Sequence, residues 1–359
     1  MNEMVLGRAQ LEQLIRDGAL TVPAAALSDG QLQPASLDLR LGAEGYRLIG
    51  SFIPDKSRVA DRAHELAAYE VDLAAPAVLE TGQVYLFRLR EEVYLPPDVR
   101  GRCNPKSSIG RVDVFTRVVC DAHDRFDEIP AGYRGPLWVE VYPRSFPVRV
   151  AQGLALTQLR LFRDASAGPP VRSVEVHRDG AEPVRVNGDE VVMSLSLIGG
   201  GGAPAGYRAR RHTPVLDLLR ERSAHPRDYW EVVQPSRAGH YVLEPEAFYL
   251  FKSVERVRIP PETAGEMIPV DPSYGELRTH YAGFFDPGFG WDCPSGVPAV
   301  LEVRAHDVPF AVAHGQPFFR LRLERVLGAL RAHYGAALGS HYHGQDLTHA
   351  KFFCNDWEE

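Results

Sequence analysis

Short apolar runs, each closed by Gly or Pro, set the pattern of this chain. Leu37, Leu39 and Leu41 alternate with Asp38 and Arg40, the period of a half-buried strand. Tyr85-Leu86-Phe87, Val93 to Pro97, Val112 to Val119 and Ala299 to Val303 read in the same way as strands between turns. The helical period shows at the N-terminus, where Leu6, Leu11, Leu14 and Ile15 recur along Gly7 to Asp17 before Gly18 stops the pattern. That segment is predicted to be a packing helix without chemistry. With Gly at 32 and Pro at 28 of 359 residues, turns are frequent enough to favour an all-β body.

The strand pattern repeats. Tyr85-Leu86-Phe87-Arg88 to Pro96-Pro97 recurs as Tyr249-Leu250-Phe251-Lys252 to Pro260-Pro261, and Gly101 returns as Gly265 at the same offset of 164. Trp138-Val139-Glu140-Val141 is answered by Val300-Leu301-Glu302-Val303, and Leu159-Arg160-Leu161 by Leu321-Arg322-Leu323. Ser36-Leu37-Asp38-Leu39 is matched to Ser194-Leu195-Ser196-Leu197. Loop insertions account for small changes of offset. The chain therefore divides into an N-terminal helical segment (1–29), a first β domain (30–163), a charged connector without apolar periodicity (164–189), a second β domain (190–325) and a C-terminal arm (326–359). The Gly199–Gly202 run falls inside the second copy as a loop. Tyr69, Trp230 and residues 205–240 read as packing and connection.

Composition narrows the function classes. A length of 359 suits two domains. A net charge of −7 argues against general nucleic-acid affinity, so an anionic substrate needs a local basic site. The four cysteines are scattered and form no C-x-x-C pair, as expected of reduced thiols in a cytoplasmic protein. No leader or membrane-spanning apolar run is expected.

Two stretches carry candidate chemistry. Lys106-Ser107-Ser108-Ile109-Gly110-Arg111 concentrates cations and hydroxyls that bind anionic oxygens, beside a Gly that admits a ligand. The second copy has Pro272-Ser273-Tyr274-Gly275-Glu276 there, an anion replacing the cation. It carries instead Tyr281-Ala282-Gly283-Phe284-Phe285-Asp286-Pro287-Gly288-Phe289-Gly290, which reads as a β-hairpin with one acid. Its small residues leave backbone groups exposed to a planar ring, and its aromatics can stack. Sixteen residues after Asp286, Glu302 sits in an apolar strand, opposite in phase to Leu301. It is either a solvated strand residue or a pocket carboxylate whose partial burial suits it to be a general base.

In combination, PASLDLRLG, KSSIGR, AGFFDPGFG and the strand Glu resemble the dCTP deaminase family of the dUTPase-like superfamily, in a double-length tandem form. Tyr334, His341, Tyr342 and Gln345 match the spacing of that family's C-terminal Tyr, Lys, Tyr and Gln. The resemblance implies two tandem distorted β-barrel or jelly-roll domains, a C-terminal arm, and hydrolysis of dCTP to dUTP and ammonia. It implies that Lys106, Ser107, Ser108 and Arg111 hold the triphosphate, with Ser108 and Arg111 helping to place the water. The Ala282-Gly283-Phe284-Phe285 backbone would read the cytosine beside Phe289, Asp286 would hold the sugar 3′-hydroxyl, and Tyr334, His341 and Gln345 would lie over the nucleotide. Glu302 would be the general acid/base, with Glu140 as second candidate. Family members take arm and pocket from neighbouring subunits. Here repeat one keeps the arm and repeat two the pocket, and a homo-oligomer is expected. His341 replaces the family Lys, and repeat one keeps a lesser second pocket around Ala122 to Asp127, Gly132 to Gly135 and Glu140. The P-C-x-x-C signature of zinc deaminases is absent, so a zinc-independent reaction is expected, with Mg²⁺ accompanying the triphosphate. A dUTPase or bifunctional deaminase–diphosphatase, and a non-catalytic nucleotide-binding protein, are the alternatives.

Overall fold

The computed structural model describes residues 3–21, 27, 30–164, 174–178, 184–186, 188, 190–199, 204–270, 278–279, 283–305, 308–328, 344 and 346–354. The chain forms two compact units. Unit 1 comprises residues 1–168, 214–221 and 326–330, and unit 2 comprises 169–213, 222–325 and 331–359. Strands dominate both. Among the described residues, no helix is long and apolar enough to cross a membrane.

Unit 1 opens with the strand Glu3–Leu6 and then helix α1 (Arg8–Arg16), which buries Leu11 and Leu14 as the spacing predicts. There follow β1 (Leu37–Leu48), α2 (Val59–Leu66), β2 (Val84–Tyr94), β3 (Val99–Pro105), the single turn α3 (Ser107–Gly110), β4 (Val114–Cys120), β5 (Glu128–Ile129), β6 (Arg134–Pro143) and β7 (Ala155–Asp164). The pivot is β1. Its first residues pair with β7, Asp38 opposite Gln158, and its later ones with β2, Tyr46 opposite Leu86. On the far side of β7 lies β3, with β5 at its edge, while β2 continues to β6 and β4. One long strand thus serves two sheets, which is how a two-layered distorted barrel closes on its core.

Unit 2 repeats this plan with β8 (Glu190–Ser196), β9 (Phe248–Arg258), β10 (Thr263–Pro269), β11 (Phe284–Phe285), β12 (Val297–Arg304) and β13 (Pro317–Leu327). Register makes the equivalence residue by residue. Gly101 faces Leu161 and Ile129, and Gly265 faces Leu323 and Phe285. A Cβ on either glycine would come within 2.8 Å of a leucine methyl, of Leu159 or Leu321, which is why both copies carry Gly here. Glu140 lies opposite Leu86, and Glu302 opposite Leu250. The stretch 164–189 contributes strands Val174–His177 and Val184–Val186, paired with each other, the first also with β9. At the C-terminal end, His349 packs on Tyr207 and Trp230, and Phe352 and Phe353 are buried.

Register also corrects two expectations. The counterpart of Leu37-Asp38-Leu39-Arg40-Leu41 is Val191-Val192-Met193-Ser194-Leu195, not the Ser194–Leu197 stretch: Leu39 pairs with Thr157, and Met193 with Phe319. Nor is β1 half-buried here, because Asp38 and Arg40 are enclosed along with the leucines. Each charge has a partner, Lys106 for Asp38 and Glu91 for Arg40.

Glu91 holds the pivot. One extra residue in β7 interrupts the ladder between Leu39 and Arg40, and the Arg40 N–H donates instead to Glu91 at 2.7 Å. The same carboxylate accepts from Arg40 Nε at 2.7 Å and Gln31 Nε2 at 2.9 Å. In unit 2 the same bulge falls between Met193 and Ser194, and Glu255 accepts from the Ser194 N–H at 2.6 Å and its hydroxyl at 3.0 Å. These glutamates are 2% and 1% exposed. Glu91→Ala is expected to cost about 3–5 kcal/mol, because it strands a buried guanidinium and a backbone donor; urea denaturation measures it, and a loss below about 1 kcal/mol would refute the role.

Candidate functional site

The basic stretch folds as one turn directly after β3. Lys106 is extended at its start (φ −67°, ψ 144°), and the N–H groups of Ile109 and Gly110 donate to its carbonyl at 2.8 and 3.0 Å. Arg111 closes the turn, donating its N–H to the Ser107 carbonyl at 3.1 Å. Asp113, at φ 56°, anchors the chain as it leaves the turn: its carbonyl accepts the Arg144 N–H at 3.0 Å and its carboxylate the Ser145 hydroxyl. Ser108 and Arg111 are buried, whereas Ser107 and Lys106 are partly exposed. Two members of the set are therefore fixed in the fold and two reach the surface.

In unit 2, the described part of the 281–290 stretch is not a self-paired hairpin. Its strand, β11, pairs with β10, and the Met267 N–H donates to Gly283 at 2.9 Å. A turn comes next, in which the Phe289 N–H donates to Asp286 at 3.1 Å and the Phe289 carbonyl accepts Ile259 at 2.9 Å. The aromatics are not presented for stacking. Phe285 and Phe289 meet edge to face at 5.0 Å inside an apolar core of unit 2, and Phe284 is buried too. Asp286 is partly exposed, as is Glu302, which stands in β12 between buried Leu301 and Val303. Of the residues singled out from sequence, Lys106, Ser107, Ser108, Arg111 and Glu140 thus fall in unit 1 and Gly283, Phe284, Phe285, Asp286, Phe289 and Glu302 in unit 2. Ala282, Tyr334, His341 and Gln345 lie outside the described residues, as does the 272–276 stretch.

The two strand glutamates have different surroundings. Glu140 is 2% exposed. Arg117 donates to it through Nη2 at 2.5 Å and Nε at 3.1 Å, and the Ser51 hydroxyl donates at 2.7 Å. The Arg117 guanidinium lies over Phe126 at 3.8 Å, and Phe126 packs on Phe52 at 6.0 Å. Ser51 and Phe52 belong to the segment that leads into α2, whose Val59 and Ala63 pack with Tyr46 and Trp138. Unit 1 therefore fills the surroundings of its own glutamate. Sequence reasoning missed Arg117 and Ser51, which neither periodicity nor motif marks. In unit 2, Thr279 takes the place of Thr116, and His280, next in the chain, lies outside the described residues. Unit 1 also has Pro130 at the position of Asp286: the Tyr133 carbonyl accepts Leu95 as the Phe289 carbonyl accepts Ile259.

Where unit 2 has Gly283, unit 1 has Asp127, in left-handed backbone at φ 61° and accepting the Val118 N–H at 2.8 Å. Burial pushes its carboxyl up to about 7, with Glu140 adding to the rise and the Val118 N–H and Arg117 opposing it. The folded protein then holds a proton that the unfolded chain releases, so this group's contribution to stability falls as pH rises from 3.8 to about 7. Asp127→Asn keeps the acceptor and removes the ionisation. It is expected to gain stability over the parent progressively across that window and level off above it, measured by thermal melts at several pH values; a pH-independent difference would contradict the assignment.

Comparison with known proteins extends over nearly the whole chain. The family model of the 2′-deoxycytidine 5′-triphosphate deaminase N-terminal domain matches residues 2–165, and that of the C-terminal domain residues 172–353. A protein of Methanoculleus marisnigri named "dCTP deaminase, dUMP-forming" is 31% identical over 174 residues, 46% of this chain and 84% of that one. A "dCTP deaminase" of Halorubrum lacusprofundi is 27% identical over 198 residues, 52% of this chain and 93% of that one. The crystal structure of 2′-deoxycytidine 5′-triphosphate deaminase from Agrobacterium tumefaciens superposes with a TM-score of 0.82 at 40% identity, covering 91% of this chain and 99% of that one.

Proposed function

The chain belongs to the 2′-deoxycytidine 5′-triphosphate deaminase family, and from that premise we propose that it hydrolyses dCTP to dUTP and ammonia with Glu302 as the proton shuttle. The observation that carries the choice of base is the difference in exposure of two glutamates at one strand position. Glu140 is 2% exposed, with Arg117 and Ser51 on its oxygens. Glu302 stands partly exposed in its strand, where water and substrate can reach it.

The chemistry asks for one carboxylate. Glu302 takes a proton from water as the oxygen bonds to C4 of cytosine, and passes it to N3. The carboxylate then takes the proton of the new C4 hydroxyl and delivers it to the exocyclic nitrogen as the C4–N bond breaks, the C4=O bond forms and ammonia leaves. In this reading Ser108 and Arg111 steady the water and the developing charge, and Lys106 and Ser107 join them on the triphosphate. Backbone groups of 282–285 read the base, beside Phe289. Asp286 takes the sugar hydroxyl, and Tyr334, His341 and Gln345 complete the nucleotide contacts. Mg²⁺ accompanies the triphosphate as counter-ion, zinc takes no part, and the working form is a homo-oligomer.

A second reading, release of dUMP and pyrophosphate from the same substrate, is favoured by the relative whose name includes "dUMP-forming". The tail Tyr334-Gly335-Ala336-Ala337-Leu338-Gly339-Ser340-His341-Tyr342-His343-Gly344-Gln345 lacks a dUTPase-type Gly-rich phosphate clasp, which favours deamination and leaves diphosphate release open. Product analysis of EDTA-treated protein with dCTP and Mg²⁺ returned separates the cases: ammonia with dUTP is expected, ammonia with dUMP and pyrophosphate would make the enzyme bifunctional, and no ammonia would end the deaminase reading. Glu302→Gln is expected to lower kcat by about 10²–10⁴, while Glu140→Gln costs stability and leaves kcat unchanged. The reverse pattern in steady-state rates would exchange the two roles. Arg111→Ala is expected to damage chiefly dCTP binding, and an unaltered KM would remove it from the phosphate set.

A further inference from the structure

On the reading of Lys106 as a triphosphate ligand, we propose that Asp38 is a positioning residue: it holds the Lys106 ammonium in place for the phosphate oxygens. The two residues are ion-paired, Lys106 Nζ donating to Asp38 Oδ2. They reach each other across β7. Asp38 is in register with Gln158, and Gln158 in turn with Asn104, two residues before Lys106 and therefore on the same face of the sheet. The Lys106 N–H donates to the Leu156 carbonyl of β7 at 3.0 Å, which fixes where the side chain starts. Burial is asymmetric, with the Asp38 side chain 7% and the Lys106 side chain 23% exposed. The carboxylate is the fixed end and the ammonium faces outward.

The second copy supplies an internal comparison. By register Asp38 corresponds to Val192, and Lys106, next after Pro105, to Val270, next after Pro269. Both members of the pair are absent together from the unit whose arm has also lost its arginine. A carboxylate serving the strand alone would have no reason to vanish with the lysine. The physical advantage is plain. A free lysine side chain carries rotamer entropy, which a ligand must overcome on binding it. Three donors on one ammonium let Lys106 keep Asp38 while it donates to a phosphate oxygen as well.

Steady-state kinetics on dCTP test this with Lys106→Met, Asp38→Asn, the double variant and Asp38→Glu. Each single charge removal is expected to raise KM about tenfold, the loss of one charge-assisted hydrogen bond, with kcat little changed. The double variant should be no worse than Lys106→Met alone, and Asp38→Glu should recover part of the loss. Asp38→Val with Lys106→Val carries the pair that unit 2 already folds with, and should match Lys106→Met. If Lys106→Met raises KM and Asp38→Asn does not, or if the two effects multiply in the double variant, the positioning role is wrong. If Lys106→Met itself leaves KM unaltered, the phosphate reading of the basic turn fails first and takes this inference with it.

Discussion

A carboxylate from one strand, capping the broken ladder of the next, holds each half of this protein together. Where β1 leaves β7 to join β2, one backbone N–H has no ladder partner, and Glu91 supplies it. Where β8 does the same, Glu255 supplies Ser194. A buried donor left unpaired at that place would cost about 1–3 kcal/mol, a penalty this carboxylate removes where the long strand changes sheets. The choice of cation differs, Arg40 in one unit and Arg178 in the other, which marks the backbone bond as the constant. The basic turn of unit 1 and the glutamate strand of unit 2 both hang on strands that this crossing keeps in register.

Much of the architecture was legible in the chain. The Tyr-Leu-Phe runs, the paired prolines and Gly101 with Gly265 keep one spacing because they sit on paired strands whose lengths cannot change without breaking register. Another echo is less plain in the letters: Gly45-Tyr46-Arg47 and Gly206-Tyr207-Arg208 occupy the same register against β2 and β9. The glycine-rich run just before the second of these shifts its offset. Likeness of letters misled where it stood alone, since Ser-Leu-Ser-Leu resembles Ser-Leu-Asp-Leu, but the bulge and the partner strand decide the match. Alternation predicted one wet face for β1. It could not foresee that Lys106 and Glu91, remote in sequence, would enclose Asp38 and Arg40.

The candidate chemistry was legible as residue types and not as environments. Glu140 and Glu302 look alike in their strands. Glu140 is enclosed with Arg117 from a neighbouring strand and Ser51 from a connecting segment, Glu302 is partly exposed, and no pattern local to either glutamate encodes that. The aromatics of the 284–289 stretch erred in the other direction: rings read as a stacking surface belong to the core of unit 2.

The valines at 192 and 270 have a consequence for how such a chain evolves. In an assembly of identical single-domain subunits, a substitution that removes a ligand-holding residue appears in every subunit at once, and no intact copy is left. When two copies share one polypeptide, the same loss touches only one of them, and synthesis fixes their ratio at one to one. One copy is then released from selection for binding and free to change its surface and its loops, while the other must stay as it is. Two units of one plan in a single chain are in this sense a permit for asymmetry, granted by a covalent link and not by any contact.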